Sequence, residues 1–257
     1  MNSATKAAKH RFDRAASLQA LQQSPVPRHV GVIMDGNGRW AAARGKNRSE
    51  GHKAGVERLR SVLQYSADAG VECLTVYAFS KENWKRPRWE VETLMRLLLE
   101  YLEKELPRLH SQGVQIGFIG DRQGLSARVL AAMDKARDAT KHNHRLRFHI
   151  ALNYGGRDEI LRAVQRCVQD AAAHTAPLAA LDEDGFEALL DTAGLPAVDL
   201  VIRTSGEKRL SNFLLWQCAY AEFVFVEEHW PDFDDEQYAQ ALGEFQRRER
   251  RFGGLGT

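Results

Sequence analysis

The chain has 257 residues, 44% of them hydrophobic, so it can bury the core of one α/β domain or of two small ones. Its formal net charge is only +2, which argues against nucleic acid as a partner. No apolar run approaches the roughly 20 residues that a membrane-spanning helix needs. Cys73, Cys167 and Cys218 lie far apart, without metal-ligand spacing, as is typical of reduced core residues in a cytoplasmic protein.

The N-terminal residues 1–24 are basic but contain no continuous apolar segment, so they do not form a signal peptide. We predict a flexible or weakly helical arm over residues 1–24 and a single domain over residues 25–257. No internal repeat or break in composition divides that domain. Contact between the arm and a membrane surface is an open alternative.

The stretch 29–40, HVGVIMDGNGRW, joins an apolar run typical of a doubly buried strand to a polar loop. In open α/β sheets, ligands bind just past the carboxyl ends of the strands. The loop glycines let backbone N–H groups converge on an anion, and Arg39 adds donors for phosphate oxygens. Because Asp35 would repel a bare phosphate, its presence points to a bridging Mg²⁺. An ordinary tight turn is the alternative, since Asp-Gly and Asn-Gly are turn signals.

Helices and strands alternate along the rest of the chain. A basic linker, residues 44–48, precedes a helix with Ser49 as its N-cap and Gly70 just beyond its end. Further strands are predicted over 71–79, 114–120, 145–153, 198–204 and 221–228, and further helices over 90–106, 126–140, 157–173, 186–192 and 234–250. This order predicts one six-stranded, mostly parallel sheet with helices on both faces. Right-handed crossovers bring the strand-to-helix loops to one edge of that sheet.

The predicted helix over residues 90–106 has an apolar face wider than an amphipathic surface helix needs. Either the helix is buried on two sides, or part of it lines an apolar cavity. The sequence pattern alone does not separate these two explanations.

A second loop rich in arginine follows the predicted strand 198–204. Arg203 and Arg209, together with Ser211, can bring two guanidinium groups and a hydroxyl to one phosphate group. A solvated run of charges is the alternative. Two anion sites, one carboxylate and a wide apolar helix suit the joining of two diphosphate esters with hydrocarbon tails. The chain contains neither a G-x-S-x-G elbow nor a G-x-x-x-x-G-K-[ST] phosphate loop.

Several motifs of the chain resemble those of the cis-prenyltransferases: HVGVIMDGNGRWA, GHKAG, YAFSKENWKRP, NYGGRDEI, DLVIRTSGEKRLSNFLLWQ and YAEF. The resemblance extends over about residues 25–254. It implies a homodimeric α/β enzyme with a hydrophobic tunnel and Mg²⁺ as cofactor. The implied reaction is the sequential cis-condensation of isopentenyl diphosphate onto an allylic primer, with farnesyl diphosphate as the expected primer. The implied product is a long polyprenyl diphosphate such as undecaprenyl diphosphate, the precursor of a lipid carrier for cell-wall polysaccharide.

The resemblance also assigns roles to individual residues. Asp35 matches the aspartate that engages Mg²⁺ and helps to ionise the allylic diphosphate. The residues that match the binding site of that diphosphate are Gly36, Asn37, Gly38, Arg39, Arg48 and His52. Those around the two substrates and on the loop that closes over them are Trp40, Ser80, Asn83, Trp84 and Arg86, and Asn83 is predicted to be catalytic. The isopentenyl diphosphate clamp is matched by Arg203, Arg209 and Ser211.

A carboxylate that reaches the metal site across the homodimer is matched by Glu222. The chain departs from the family pattern at Lys208, where relatives often carry His or Glu, so the effect of its charge beside the metal site stays open. The acidic stretch 232–236 resembles the aspartate-rich motif of trans-prenyltransferases, but capping of the helix that follows explains it better.

Two other functions are compatible with parts of the pattern. One is a non-catalytic subunit that keeps the fold and binds prenyl lipids, although such a subunit has no chemical need for Asp35, Arg203, Arg209 and Glu222. The other is a nucleotide-dependent phosphotransferase. The sequence does not fix the product length, and it leaves open a peripheral contact with the inner face of the cytoplasmic membrane for product release.

Overall fold

The computed structural model describes residues 12–173 and 181–250. Its strands are β1 (His29–Ile33), β2 (Cys73–Ser80), β3 (Val114–Ile119), β4 (Leu146–Tyr154), β5 (Leu200–Arg203) and β6 (Glu222–Phe225). They form one sheet in the order β3-β4-β2-β1-β5-β6, and all five neighbouring pairs are parallel. Every residue of β1 is buried, as its apolar pattern predicts. The predicted six-stranded sheet is confirmed.

Eight helices connect and cover the strands within the described ranges: α1 (Arg14–Leu21), α2 (Asn37–Ala42), α3 (Arg48–Ala69), α4 (Arg88–Ser111), α5 (Ala127–Thr140), α6 (Gly156–Ala172), α7 (Glu183–Glu187) and α8 (Asp235–Arg247). Successive side chains of a strand point to opposite faces of the sheet. Accordingly, Val30 and Val32 pack into the large core beneath α3, α4 and α8, whereas Ile33 and Val201 pack against Phe213 on the other face.

Several boundaries differ from the sequence prediction; α4, for example, extends to Ser111 and not only to residue 106. The polar loop after β1 becomes helical at Asn37, so α2 was missed. The N-cap of α3 is Asn47, two residues before the predicted Ser49, because the Asn47 side chain accepts a hydrogen bond from the backbone N–H of Glu50 and the Glu50 side chain accepts one from the backbone N–H of Asn47. The helix predicted over 186–192 ends at Glu187.

The N-terminal arm, residues 1–24, was predicted to be flexible or weakly helical, and residues 1–11 lie outside the described ranges. The remainder contains α1, and Arg14 of this helix forms ion pairs with Asp68 (2.9 Å) and Asp235 (2.8 Å). Leu21 is buried in the large core. Within the arm, α1 has Asp13 as its N-cap and packs against the domain through these contacts. Within the described ranges, no helix combines the length and apolarity that crossing a membrane requires.

The acidic stretch 232–236 caps a helix, as predicted. Asp234 accepts a hydrogen bond from the backbone N–H of Gln237 at 3.0 Å and is the N-cap of α8. Asp232 accepts hydrogen bonds from Trp40 and Arg44. Hydrogen bonds within the chain therefore account for the carboxylates of Asp232 and Asp234.

Candidate active site

A cavity of about 1020 Å³ opens at the carboxyl ends of the central strands and extends between the sheet, α3 and α4. The predicted site residues that line it are Asp35, Gly36, Asn37, Gly38, Arg39, Arg48, His52, Ser80, Asn83, Arg86, Arg203, Arg209 and Ser211. Its apolar lining includes Val56, Leu59, Val76, Leu94, Leu97, Leu98 and Ile150. The cavity therefore combines a mouth rich in arginine with a hydrocarbon-like interior, and part of α4 does line it.

Asp35 lies between two arginines at the mouth of this cavity. One carboxylate oxygen accepts a hydrogen bond from Arg203 at 2.8 Å, and the other lies 3.3 Å from Arg39. The Thr204 hydroxyl fixes the backbone, since it donates to the Asp35 carbonyl at 2.8 Å. Burial alone would raise the pKa of Asp35, but the hydrogen bond and charge of Arg203, with the charge of Arg39, hold that pKa below its usual value. The carboxylate is therefore ionised at neutral pH.

Gly36 makes the sharp turn that leads from β1 into α2. Its φ angle is 97°, and a Cβ atom there would lie 2.5 Å from Ser205 Oγ and 2.7 Å from His229 Nδ1. Only glycine fits this conformation and this space without strain. The first N–H groups of α2 have no acceptor inside the helix, so they are free to bind an anion.

Glu90 organises one side of the mouth, although the sequence analysis did not single it out. Its side chain is only 3% exposed and contacts Arg48 at 3.1 Å, Arg86 at 3.0 Å and His52 at 3.7 Å. Burial, followed by the charges of Arg86 and Arg48, lowers the pKa of His52 against the opposing effect of Glu90. The spacing of Arg86 and Glu90 by four residues was the one available signal of this cluster.

The second arginine loop meets the first at the mouth of the cavity. The Arg203 side chain is 4% exposed and donates hydrogen bonds to the Ser211 hydroxyl at 2.8 Å and to the Arg209 carbonyl. The Arg209 guanidinium pairs with Glu207, which also pairs with Arg39 at 3.1 Å. A continuous chain of charges thus joins the two predicted anion sites.

The segment after β2 forms a short 3₁₀ turn, Lys81–Lys85, over the cavity. Asn83 accepts a hydrogen bond from the Ser80 backbone N–H at 3.0 Å, which fixes the start of this turn. Trp84 donates to Asn153 at 2.7 Å and is 42% exposed. Asn83 therefore lines the cavity, whereas Trp84 packs outside it.

Two further predicted site residues also lie away from the cavity. Trp40 donates to Asp232 at 2.7 Å, and the Arg44 guanidinium lies 4.5 Å from the centre of its ring. Glu222 begins β6, at the amino end of the strand and therefore at the opposite edge of the sheet from Asp35. There it pairs with Arg248 at 2.8 Å. Neither residue reaches the Asp35 cluster within a single chain.

The cavity wall contains residues that sequence reasoning missed. They are Tyr77, Glu82, Tyr101, Asn212 and Trp230. Glu82 and Asn212 lie inside motifs that resemble those of the cis-prenyltransferases, so these motifs could have indicated that the two residues line the site. Tyr101 lies within an apolar helix pattern and Trp230 follows the last strand, so neither position indicated a role.

A divalent cation suits this site only together with a phosphate-bearing ligand. The described part of the chain holds no cluster of three or more His, Cys, Asp or Glu side chains that could bind a metal. Mg²⁺ is usually held by one or two carboxylates and by substrate phosphates. Asp35 fits that role, because its carboxylate is ionised and lies at the mouth of the cavity beside the predicted diphosphate sites.

Comparisons with known proteins agree with this geometry. The family described as "Putative undecaprenyl diphosphate synthase" matches residues 33–253. "Isoprenyl transferase 2" of Bradyrhizobium diazoefficiens is 48% identical over 94% of this chain and 96% of that protein. The solved structure of lavandulyl diphosphate synthase from Lavandula x intermedia, in complex with dimethylallyl diphosphate, superposes with a TM-score of 0.86 at 34% identity, over 89% of this chain and 98% of that one.

A probable undecaprenyl diphosphate synthase from Campylobacter jejuni is also 34% identical, with a TM-score of 0.73 over 88% of this chain and 98% of that one. The family match covers most of the chain, and the relatives align over nearly their whole length. The chain therefore belongs to the isoprenyl transferase family described as putative undecaprenyl diphosphate synthase, and the resemblance found in its motifs is confirmed.

Proposed function

We propose that this isoprenyl transferase extends farnesyl diphosphate by sequential cis-condensation with isopentenyl diphosphate in the presence of Mg²⁺. The expected product is a long polyprenyl diphosphate of about the undecaprenyl length. One observation carries the proposal: a single cavity joins two arginine clusters around Asp35 to a deep apolar interior. Such a cavity suits two substrates that each have a diphosphate head and a hydrocarbon tail.

The two arginine clusters divide the work of binding. The free N–H groups of α2, with Arg39, Arg48 and His52, hold the diphosphate of the allylic primer. Arg203 and Arg209, with the Ser211 hydroxyl, hold isopentenyl diphosphate. A Mg²⁺ ion held by Asp35 and phosphate oxygens would neutralise charge that develops on the leaving diphosphate.

The residues of the chain support a simple exchange of bonds. The carbon–oxygen bond to the leaving diphosphate breaks, a carbon–carbon bond forms to the double bond of isopentenyl diphosphate, and the acceptor loses one proton. N–H donors and guanidinium groups stabilise the departing diphosphate, and the apolar wall excludes water from the allylic cation. Asn83, on the turn that covers the cavity, is placed to position the acceptor.

We further propose that the enzyme is a homodimer in which Glu222 acts at the partner's metal site. Glu222 lies at the opposite edge of the sheet from Asp35 of its own chain, so it can serve a metal site only in another copy. Leu161, Val164 and Val168 form an exposed apolar stripe on α6, with exposed fractions of 63%, 44% and 55%. Such a stripe supports an interface with a second copy. Peripheral membrane contact stays a prediction.

The direct test is to incubate the purified protein with farnesyl and isopentenyl diphosphates and Mg²⁺, followed by chromatography of the products. We expect a ladder of polyprenyl diphosphates that is lost when a chelator is added. Dimethylallyl diphosphate as the primer tests the choice of allylic substrate. Turnover of ATP without any prenyl product would instead support the phosphotransferase alternative.

Glu90→Gln is expected to raise the KM for the allylic primer about ten- to a hundredfold, with a smaller effect on kcat. The charged carboxylate orders Arg48, Arg86 and His52, and loss of one charge-assisted hydrogen bond costs about 1.5–3 kcal/mol. Steady-state kinetics with each substrate varied in turn measure the change. Glu92→Gln is the matched control, because Glu92 pairs with Arg88 on the surface and should leave KM unchanged. Equal KM values for the two variants would contradict the assignment.

A further inference from the structure

A second cavity, of about 360 Å³, lies on the outer surface between α3 and α4, and we name it the α3–α4 cleft. Val56, Leu97 and Tyr101 line both this cleft and the large cavity. Leu97 and Tyr101 are 7% and 5% exposed, so they fill the space between the two. A single layer of side chains therefore separates the apolar interior of the active site from the surface.

Polar contacts join α3 and α4 on both sides of this layer. Toward the start of the two helices, Glu90 contacts Arg48 and His52. Farther along the two helices, Arg60 of α3 donates to both carboxylate oxygens of Glu105 of α4, at 2.5 and 3.2 Å. Between these points the two helices, which are described over their full length, share no hydrogen bond or ion pair. The layer is thus framed by polar contacts and is itself held only by apolar packing.

Tyr101 brings a polar group, its hydroxyl, into this apolar layer. Its hydroxyl is buried and has no hydrogen-bond partner among the described residues. The charged groups that act on this hydroxyl include Glu57, Arg60 and Glu105, all of which line the α3–α4 cleft. Tyr101 itself lines the cleft, so these charged residues are its neighbours there. Rotation of the ring into the cleft would give the hydroxyl a polar partner, which a buried hydroxyl otherwise lacks.

From these observations we infer that Tyr101 gates a lateral opening through which the distal hydrocarbon end of the growing chain leaves the cavity. This inference rests on the proposed function, in which every condensation lengthens the chain from its diphosphate end and pushes the older end inward. The floor of the opening is apolar, as a hydrocarbon requires. Its rim carries both Lys53 and Lys104 and both Glu57 and Glu100, so it offers no net charge that would select an anionic head group.

The first test replaces the gate and measures the length of the products. Tyr101→Ala and the more conservative Tyr101→Leu are expected to shift the whole product distribution toward longer chains, because the opening loses its plug. Tyr101→Phe keeps the ring but removes the hydroxyl that favours its rotation into the cleft, so it should not lengthen the products and should shift them toward shorter chains. Leu98 lines the large cavity but not the cleft, so Leu98→Ala is the matched control and should lengthen the products less.

A second test blocks the opening from outside. Lys104 is exposed, whereas Cys73, Cys167 and Cys218 are buried, so Lys104→Cys can be labelled selectively with a bulky maleimide. Labelling the double variant with Tyr101→Ala should abolish its extra-long products. If the wild type elongates the primer but Tyr101→Ala and Tyr101→Leu leave product length unchanged, the gate is overturned and the proposed function stands. If the wild type makes no polyprenyl product, both the proposed function and the gate are overturned.

Discussion

Asp35→Asn is expected to lower kcat about a hundred- to a thousandfold, the usual effect of removing one preorganised electrostatic group from an active site. The substitution keeps the shape of the side chain and an oxygen for the 2.8 Å hydrogen bond from Arg203, but it removes the charge. Without that charge, the group between Arg39 and Arg203 no longer offers an anionic ligand to a divalent cation. Single-turnover rates at saturating substrate measure the chemical step directly.

The companion variant Asp35→Ala separates catalysis from stability. Arg203 is 4% exposed and would lose its carboxylate partner, at a cost of about 3–5 kcal/mol in the free energy of unfolding. Asp232→Asn is the matched control, because Asp232 pairs with Arg44 at the surface and should leave kcat unchanged. Normal turnover by a correctly folded Asp35→Asn protein would remove Asp35 from the mechanism.

The fold was predictable because its signals are local and repeated. Apolar runs such as residues 71–79 and 145–153 alternate with helical patterns, and Gly70 at φ 87° ends α3 as predicted. The right-handed crossovers between parallel strands then place the strand-to-helix loops at one edge of the sheet. For that reason Asp35, Ser80 and Arg203, which lie far apart in the sequence, could be expected at one cavity.

The remaining features depend on contacts that no local pattern encodes. α2 follows Gly36, which has a φ of 97° and where Ser205 and His229, more than 160 residues away in the chain, leave no room for a Cβ atom. Glu90 begins a predicted helix, and its contacts with Arg48 and His52 form only once α3 packs against α4. The unpaired hydroxyl of Tyr101 likewise arises only once α3 and α4 are packed together.

Acid is expected to destabilise this fold through His29, in addition to any effect on catalysis. His29 is fully buried, its Nδ1 donates to the Pro196 carbonyl at 2.8 Å, and its Nε2 accepts from the Thr75 hydroxyl at 2.7 Å. Burial lowers its pKa from 6.5 to about 4. Burial and then the charge of His29 lower the pKa of His149 to about 3. Between about pH 4 and pH 6.5, the folded state therefore keeps both imidazoles neutral, whereas the same two imidazoles are protonated in the unfolded chain.

The direction in which stability changes with pH follows from this difference in protonation. Stability is full above pH 6.5, and it falls as the pH drops through 6.5 toward 4, because the unfolded chain takes up protons that the folded state refuses. For His29 alone, the loss reaches about 3 kcal/mol near pH 4. Urea unfolding between pH 8 and 4.5 should show this dependence of the free energy of unfolding on pH. His29→Gln should lower the number of protons taken up on unfolding by one. The exposed His142→Gln is the control, and equal slopes for both variants would exclude His29 as the cause.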